Sequence, residues 1–338
     1  MSTLTPGRIR RRQGAGDSNG GSPADSKPAP KPADPRLKAL WRFATSITVF
    51  TVLGGLFLGF EDSYLQPLVA LATAYSLEIG LEALEARSCD RPACYAGGGV
   101  RGFIEGMLPA HITGLSVALL LYTGDRIGPI IFAVTVAQCS KFILTARVKG
   151  RKRHFMNPSN FGIAITLLAL PSVAMVPAYQ FTENSSHNVI AWLLPAFVIL
   201  AGTMINAKLT KKMPLIFGWL GGFLLQAILR SAIFGTPLAA PLLPLTGLVF
   251  WLYTNYMITD PGTTPMKPRN QVIFGFSVAA LYGVLVALHV GFALFFALVI
   301  VCAARGLVLW APVWLAALRR LGQPSGAGVG EAAREMAS

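Results

Sequence analysis

Residues 147–176 read RVKGRKRHFMNPSNFGIAITLLALPSVAMV: five basic residues, an Asn-Pro-Ser-Asn tetrad, then a long apolar run without a charge. An apolar run of this kind, Ser159 to Val176, is long enough at ~1.5 Å per residue to approach the ~30 Å hydrocarbon layer of a bilayer. The whole chain repeats the theme. Of its 338 residues 53% are hydrophobic and 13% charged, and the apolar residues come in blocks rather than as the one-sided stripe of a soluble helix. That composition excludes a soluble globular domain and predicts a polytopic helical membrane protein, because only structures with closed backbone hydrogen bonding persist in lipid.

Ten such apolar spans lie along the chain: Trp41 to Phe60, Gln66 to Leu84, Met107 to Tyr122, Ile127 to Thr145, Ser159 to Val176, Val189 to Ala207, Pro214 to Ile233, Leu238 to Ile258, Val272 to His289 and Val290 to Trp310. The basic residues support that number. With a cytoplasmic N-terminus, the internal cytoplasmic loops hold Arg87, Arg91, Arg101, Arg147, Lys149, Arg151, Lys152, Arg153, Lys208, Lys211, Lys212, Lys267 and Arg269. The opposite side holds only Arg126 and Arg230. Such a bias is what the positive-inside rule predicts, and it puts both termini in the cytoplasm. Residues 1–39, rich in Gly, Pro, Ser and charge, read as a disordered basic tail, either lying against anionic lipid or serving as an orientation signal. The membrane domain covers 40–312, and a second cytoplasmic tail covers 313–338.

Ten spans divide into five and five, about 40–177 and 188–312. Thr113-Gly114-Leu115 opens span three and Thr246-Gly247-Leu248 recurs in span eight, and five spans per unit force the second copy to be inverted. The expected fold class is therefore all-α, ten transmembrane helices as two inverted five-helix repeats.

Asn157-Pro158 fits an N-cap followed by the first helical residue of span five, since the Asn side chain accepts an orphan N–H and Pro has none to lose. Asp260-Pro261, in NYMITDPGTTPMKPRNQ (255–271), invites the same reading for span nine. Two polar helix starts then face the cytoplasm with Lys152, Arg153 and Lys267 nearby, where they cap helices and are also suited to polar ligand oxygens. Inside the membrane, Glu78 and Lys141 lie at matching depths in spans two and four and are placed to pair. The alternative is that Lys141 snorkels to the surface while Glu78 faces a polar seam. Cys89 and Cys94 form a C-x4-C with no second pair, so we read no metal site and two reduced thiols. Four scattered histidines suggest no triad.

TDPGTTP, FGFSVAALYG, NPSNFG and the Lys141 that ends VAQCSK resemble the RnfD/NqrB family, membrane subunits of sodium- or proton-coupled electron-transport complexes, over roughly residues 105 to 305. LPAHITGLSVALLLY, HFMNPSNFGI, AYQFTENSS, FGTPLAAPLLPLTG and YMITDPGTTP are similar, more closely still, to the RnfD-like branch encoded in enediyne antibiotic clusters. The resemblance implies the bacterial cytoplasmic membrane, membrane lipids and other electron-transport subunits or soluble oxidoreductases as partners, and flavin chemistry; no nucleic-acid partner is expected. In that family FMN is attached to a Thr in an S/T-x-A-T setting on a long loop after span five. Here the loop is only PAYQFTENSSHN (177–188), with Thr182 in another context, so covalent FMN is not expected. A non-covalent FMN or riboflavin, or a quinone, is expected near Thr113, Gly114, Asn157, Pro158, Asn160, Thr246, Gly247, Thr259, Asp260 and Pro261, with no catalytic residue identified. The resulting function is electron transfer in enediyne biosynthesis. The alternatives are a transporter or resistance protein for the enediyne or its precursor, and a membrane scaffold for biosynthetic enzymes.

Overall fold

The structure, a computed structural model, describes residues 35–57, 63–148, 150–175 and 190–321. Helices dominate. In chain order they are α1 (Pro35–Phe57), α2 (Leu65–Ser88), α3 (Gly99–Leu120), α4 (Gly128–Ile143), α5 (Pro158–Ala169), α6 (Ile190–Ile205), α7 (Met213–Phe234), α8 (Ala239–Leu242), α9 (Leu248–Leu252), α10 (Pro268–Ala287) and α11 (Ala293–Leu321). Six of these are long and apolar enough to cross a membrane: α1, α2, α3, α7, α10 and α11. The protein is thus a helical, multi-pass candidate for membrane embedding.

The other expected spans are shorter or broken. α4 has 16 residues and α5 only 12, below the ~20 that a 30 Å crossing takes. Pro171 explains α5: the residue before a proline is driven out of the helical region, and Leu170 is extended. Segment 239–257 is α8, a 3₁₀ turn Leu243–Thr246, α9, then a π turn Tyr253–Met257. Pro241 and Pro244 lack the N–H groups that a continuous helix there would use.

Four further expectations are corrected. The fold is not purely α, because two antiparallel ribbons occur: β1 (Leu121–Tyr122) with β4 (Ala174–Met175), and β2 (Thr145–Val148) with β3 (Arg151–His154). α1 begins at Pro35, inside the expected tail, and α11 runs on to Leu321, inside the other. Asp260-Pro261 does not start α10; Lys267 and Pro268 do. Thr113-Gly114-Leu115 lies within continuous α3, whereas Thr246-Gly247-Leu248 straddles a helix break. The remainder of the tails, and the loop carrying Thr182, lie outside the described residues.

Packing is tightest where glycine lets helices touch. A Cβ on Gly275 of α10 would overlap the Leu215 carbonyl of α7, and one on Gly162 of α5 would overlap the Ala133 carbonyl of α4. Interhelical approach through small residues is the main packing device where lipid removes the hydrophobic drive. Neighbour relations recur along the chain: α1 packs on α3, α2 on α4 and α4 on α5, then α6 on α9, α7 on α10 and α10 on α11.

The bundle has two polar ends. At one, Lys152 meets Glu85, His154 faces Asp260, and Lys212 reaches the Pro265 carbonyl. At the other, Arg126 donates to the Ser172 carbonyl at 2.7 Å, and Gln66 joins the start of α2 to the end of α3 through Ala118, Leu121 and Thr123.

Candidate functional site

The first turn of α5 is a junction. The Asn157 Oδ1 accepts from the Asn160 N–H at 2.9 Å and from the Ser159 hydroxyl at 3.0 Å, so the side chain caps α5 while Pro158 occupies the first helical position. Its Nδ2 donates to the Met257 carbonyl at 3.0 Å, a hundred residues along the chain. Asn160 extends the link, its Nδ2 donating to the Phe295 carbonyl of α11 at 3.1 Å. Its Oδ1 is buried without a hydrogen-bond partner among the described residues. Two buried side-chain bonds therefore close the helix start and two more tie it to the π turn and to α11, and a buried amide left unpaired would cost ~1–3 kcal/mol.

Directly after that π turn the chain forms a polar loop, Thr259 to Met266. The fully buried Thr259 hydroxyl donates to the Asn255 carbonyl at 2.7 Å. Asp260 folds the loop on itself, its carboxylate accepting from the Gly262 N–H at 2.9 Å and the Thr263 hydroxyl at 3.2 Å, with Pro261 at the turn. The His154 Nε2 lies 3.6 Å from the Asp260 carboxylate and so close to Gly262 that a Cβ there would overlap the ring. Burial pushes the Asp260 carboxyl up, but the facing His154, the Gly262 N–H and the Thr263 hydroxyl outweigh it and hold the group below its ordinary value.

Two cations from other elements hold the loop's backbone. Lys212, 1% exposed just before α7, donates to the Pro265 carbonyl at 2.8 Å. The Arg305 guanidinium of α11 donates to the Thr263 carbonyl at 2.6 Å. Burial drives Lys212 down to about 8; the nearby Asp260 opposes that shift, and Arg305 and Arg153 add to it.

The remaining expected residues fall elsewhere. Glu78 and Lys141 form an ion pair on the α2–α4 seam, with side chains 8% and 19% exposed and the second Glu78 oxygen buried without a partner. Gly114 is closed off by α2, where a Cβ would lie 3.1 Å from the Ala70 carbonyl oxygen and the Ala74 methyl. Its openness serves helix packing, not a ring's approach. Thr113 bonds the Pro109 carbonyl of its own helix. Thr246 bonds the Leu243 carbonyl beside Gly247 in the broken segment.

Sequence reasoning missed Lys212 and Arg305. The first was visible only as one of several loop basics, but Arg305 sits inside an expected span, and an intramembrane charge is a site signal in its own right. Glu82 carried the same signal: it accepts from Arg91 and from the Cys94 N–H at 2.7 Å, folding the two-cysteine loop back on α2. No family model matches the chain, and no curated protein matches it.

Proposed function

We infer that the chain is an RnfD-like integral membrane subunit, of the UnbU branch found in enediyne biosynthesis, which passes electrons through a non-covalent flavin or quinone. The observation that carries the reading is the meeting of HFMNPSNFG and YMITDPGTTP. These two stretches carry the resemblance, and they touch through Asn157 and Met257 and through His154, Asp260 and Gly262. Stretches a hundred residues apart that merely capped their own helices would not need to meet.

In this reading the chain has ten segments in two inverted halves. The recurring neighbour relations support the division, and the contacts among all four internal loops assigned to the cytoplasm support the common side. The flavin sits against the α5 start and the 259–266 loop, without Gly114. Asn160 Oδ1 offers an acceptor for an isoalloxazine N–H, and the chain supplies only binding and orientation, the redox chemistry being the flavin's.

Purified protein should be yellow, release its flavin on heating, and leave no fluorescent band on a denaturing gel. Asn157→Leu should fold without flavin. Colourless protein that binds neither FMN nor riboflavin would refute the flavin site. A transporter is the second reading, favoured by the discontinuous segment 239–257, since broken helices build substrate passages.

A further inference from the structure

The loop that Asp260 organises is surrounded by more positive charge than it can balance. Lys212, Arg305 and Arg153 come from three elements, the turn before α7, α11 and β3: Lys212 and Arg305 both donate to carbonyls of this loop, and Arg153 precedes the His154 that faces Asp260. Among the described residues Asp260 is the single carboxylate that acts on Lys212. His154 faces that carboxylate. Two unit charges are left over.

Excess charge is expensive where it is buried, and Lys212 is almost wholly enclosed. The cations are not spent on the loop. Lys212 uses one of its three donors on Pro265, and the Arg305 guanidinium, with five N–H groups, one on Thr263. The cluster is also open to solvent on one side, since the side chains of His154 and Asp260 remain 21% and 22% exposed. Lys212 is enclosed, and Arg153 is half-buried.

We propose that the cluster formed by Lys212, Arg305 and Arg153 around the 259–266 loop binds a phosphate group. A phosphate monoester carries about −1.5 to −2 charges near neutral pH, which matches the surplus, and its three terminal oxygens suit a guanidinium fork and a point ammonium together. Chloride would neutralise one charge and leave the fork unfilled. The phosphate can belong to a soluble cofactor or to a lipid headgroup of the same leaflet. The site stands apart from the flavin reading, because riboflavin carries no phosphate and a phosphate needs no isoalloxazine.

The test uses the full chain in nanodiscs of zwitterionic lipid, with unfolding followed by tryptophan fluorescence as inorganic phosphate is titrated against chloride at matched ionic strength. Wild type should be stabilised by phosphate in a saturable way. Arg305→Gln and Lys212→Met should weaken the apparent affinity by about tenfold or more, the loss of one charge-assisted bond. Because either buried change can also unfold the protein, Arg153→Gln decides. It should melt no lower than wild type in chloride, since it removes a surplus charge, and respond to phosphate several-fold more weakly. Competition by FMN but not riboflavin would assign the phosphate to a cofactor, whereas loss of the phosphate response in discs containing phosphatidate would assign it to a lipid. A wild type that answers phosphate no more than chloride, or an Arg153→Gln protein with the full phosphate response, overturns the proposal, even if the protein is yellow.

Discussion

Removing one partner of the Glu78–Lys141 pair should cost more than removing both. The two side chains are 8% and 19% exposed, and only one Glu78 oxygen is paired, so once its mate is gone Glu78 keeps no partner among the described residues and Lys141 keeps only the Phe142 ring, 5.3 Å from its Nζ. Breaking a buried pair from one side typically costs ~3–5 kcal/mol, because an uncompensated ion is left in a dry site. Lys141→Met should lie at the upper end of that range, since it strands a carboxylate whose short stem cannot reach a polar surface. Glu78→Gln should lie at the lower end, since the four-carbon stem of Lys141, in the last turn of α4, lets its ammonium turn toward the polar zone at the β2–β3 end. The double variant removes both desolvation costs together and should lose only about 1–2 kcal/mol, a coupling of ~3 kcal/mol or more. Detergent-induced unfolding of the bicelle-reconstituted protein, followed by tryptophan fluorescence, reads all four corners of the cycle. A double variant that loses the sum of the single losses would show two independent residues and refute the reasoning.

Gly275→Ala should cost ~1–3 kcal/mol or more, because its methyl would overlap the backbone carbonyl of Leu215, whereas Gly221→Ala, with open space at its Cβ, should be neutral or slightly stabilising in the same assay. Lys212 sets a pH dependence with a definite sign. Its folded value, about 8, lies below its ordinary 10.5, so the unfolded chain binds the extra proton between those limits and stability should rise by ~3 kcal/mol from pH 8 to 10.5. That rise should vanish in Lys212→Met, and a wild type whose stability is flat over this window would contradict it. In a background without the four native cysteines, a cysteine at Asn184 should label from outside intact cells and one at Gly150 should not; the reverse pattern would sink the ten-segment topology.

What was legible in the sequence follows from which physical signals are local. Apolar block length and the distribution of basic residues are local sums, and they located a helix in each of the ten segments and grouped the loops that contact one another. Helix length within a block is not such a sum. Residues 170–176 are as apolar as α5 itself, yet the helix stops at Ala169 because Pro171 follows, and Ala174–Met175 form the strand β4 that pairs with β1. Proline was the available signal, as Pro241 and Pro244 were for the broken segment. X-Pro pairs are also ambiguous in kind. Asp260-Pro261 and Lys267-Pro268 both read as helix starts, and the structure uses the first as a turn because Gly262 and Thr263 supply the Asp260 carboxylate with close donors before any helix can form.

The candidate site shows the complementary case, in which residue type is readable and partnership is not. Glu78 and Lys141 could be matched because two spans running in the same direction share one depth coordinate, so a count of residues stands in for a distance. No such coordinate exists for a loop. Lys212, Arg305 and Asp260 come from a turn, a helix and a reversed loop, and what joins them is the carbonyl row of residues 263–265, which any sequence there would present. Backbone acceptors are invisible to motif reading. A lysine that meets only water is an orientation signal, whereas the same lysine enclosed at 1% exposure is part of a charged cluster. The difference is made by the loop Thr259–Met266, which follows directly on the π turn whose Met257 carbonyl accepts from Asn157. The tie between the two motif stretches and the buried cations thus act on adjoining backbone: if Arg305 holds the loop against the π turn, hydrogen exchange at the Asn160 amide, which Asn157 caps, should speed up in Arg305→Gln, and unchanged exchange there would show the two to be independent.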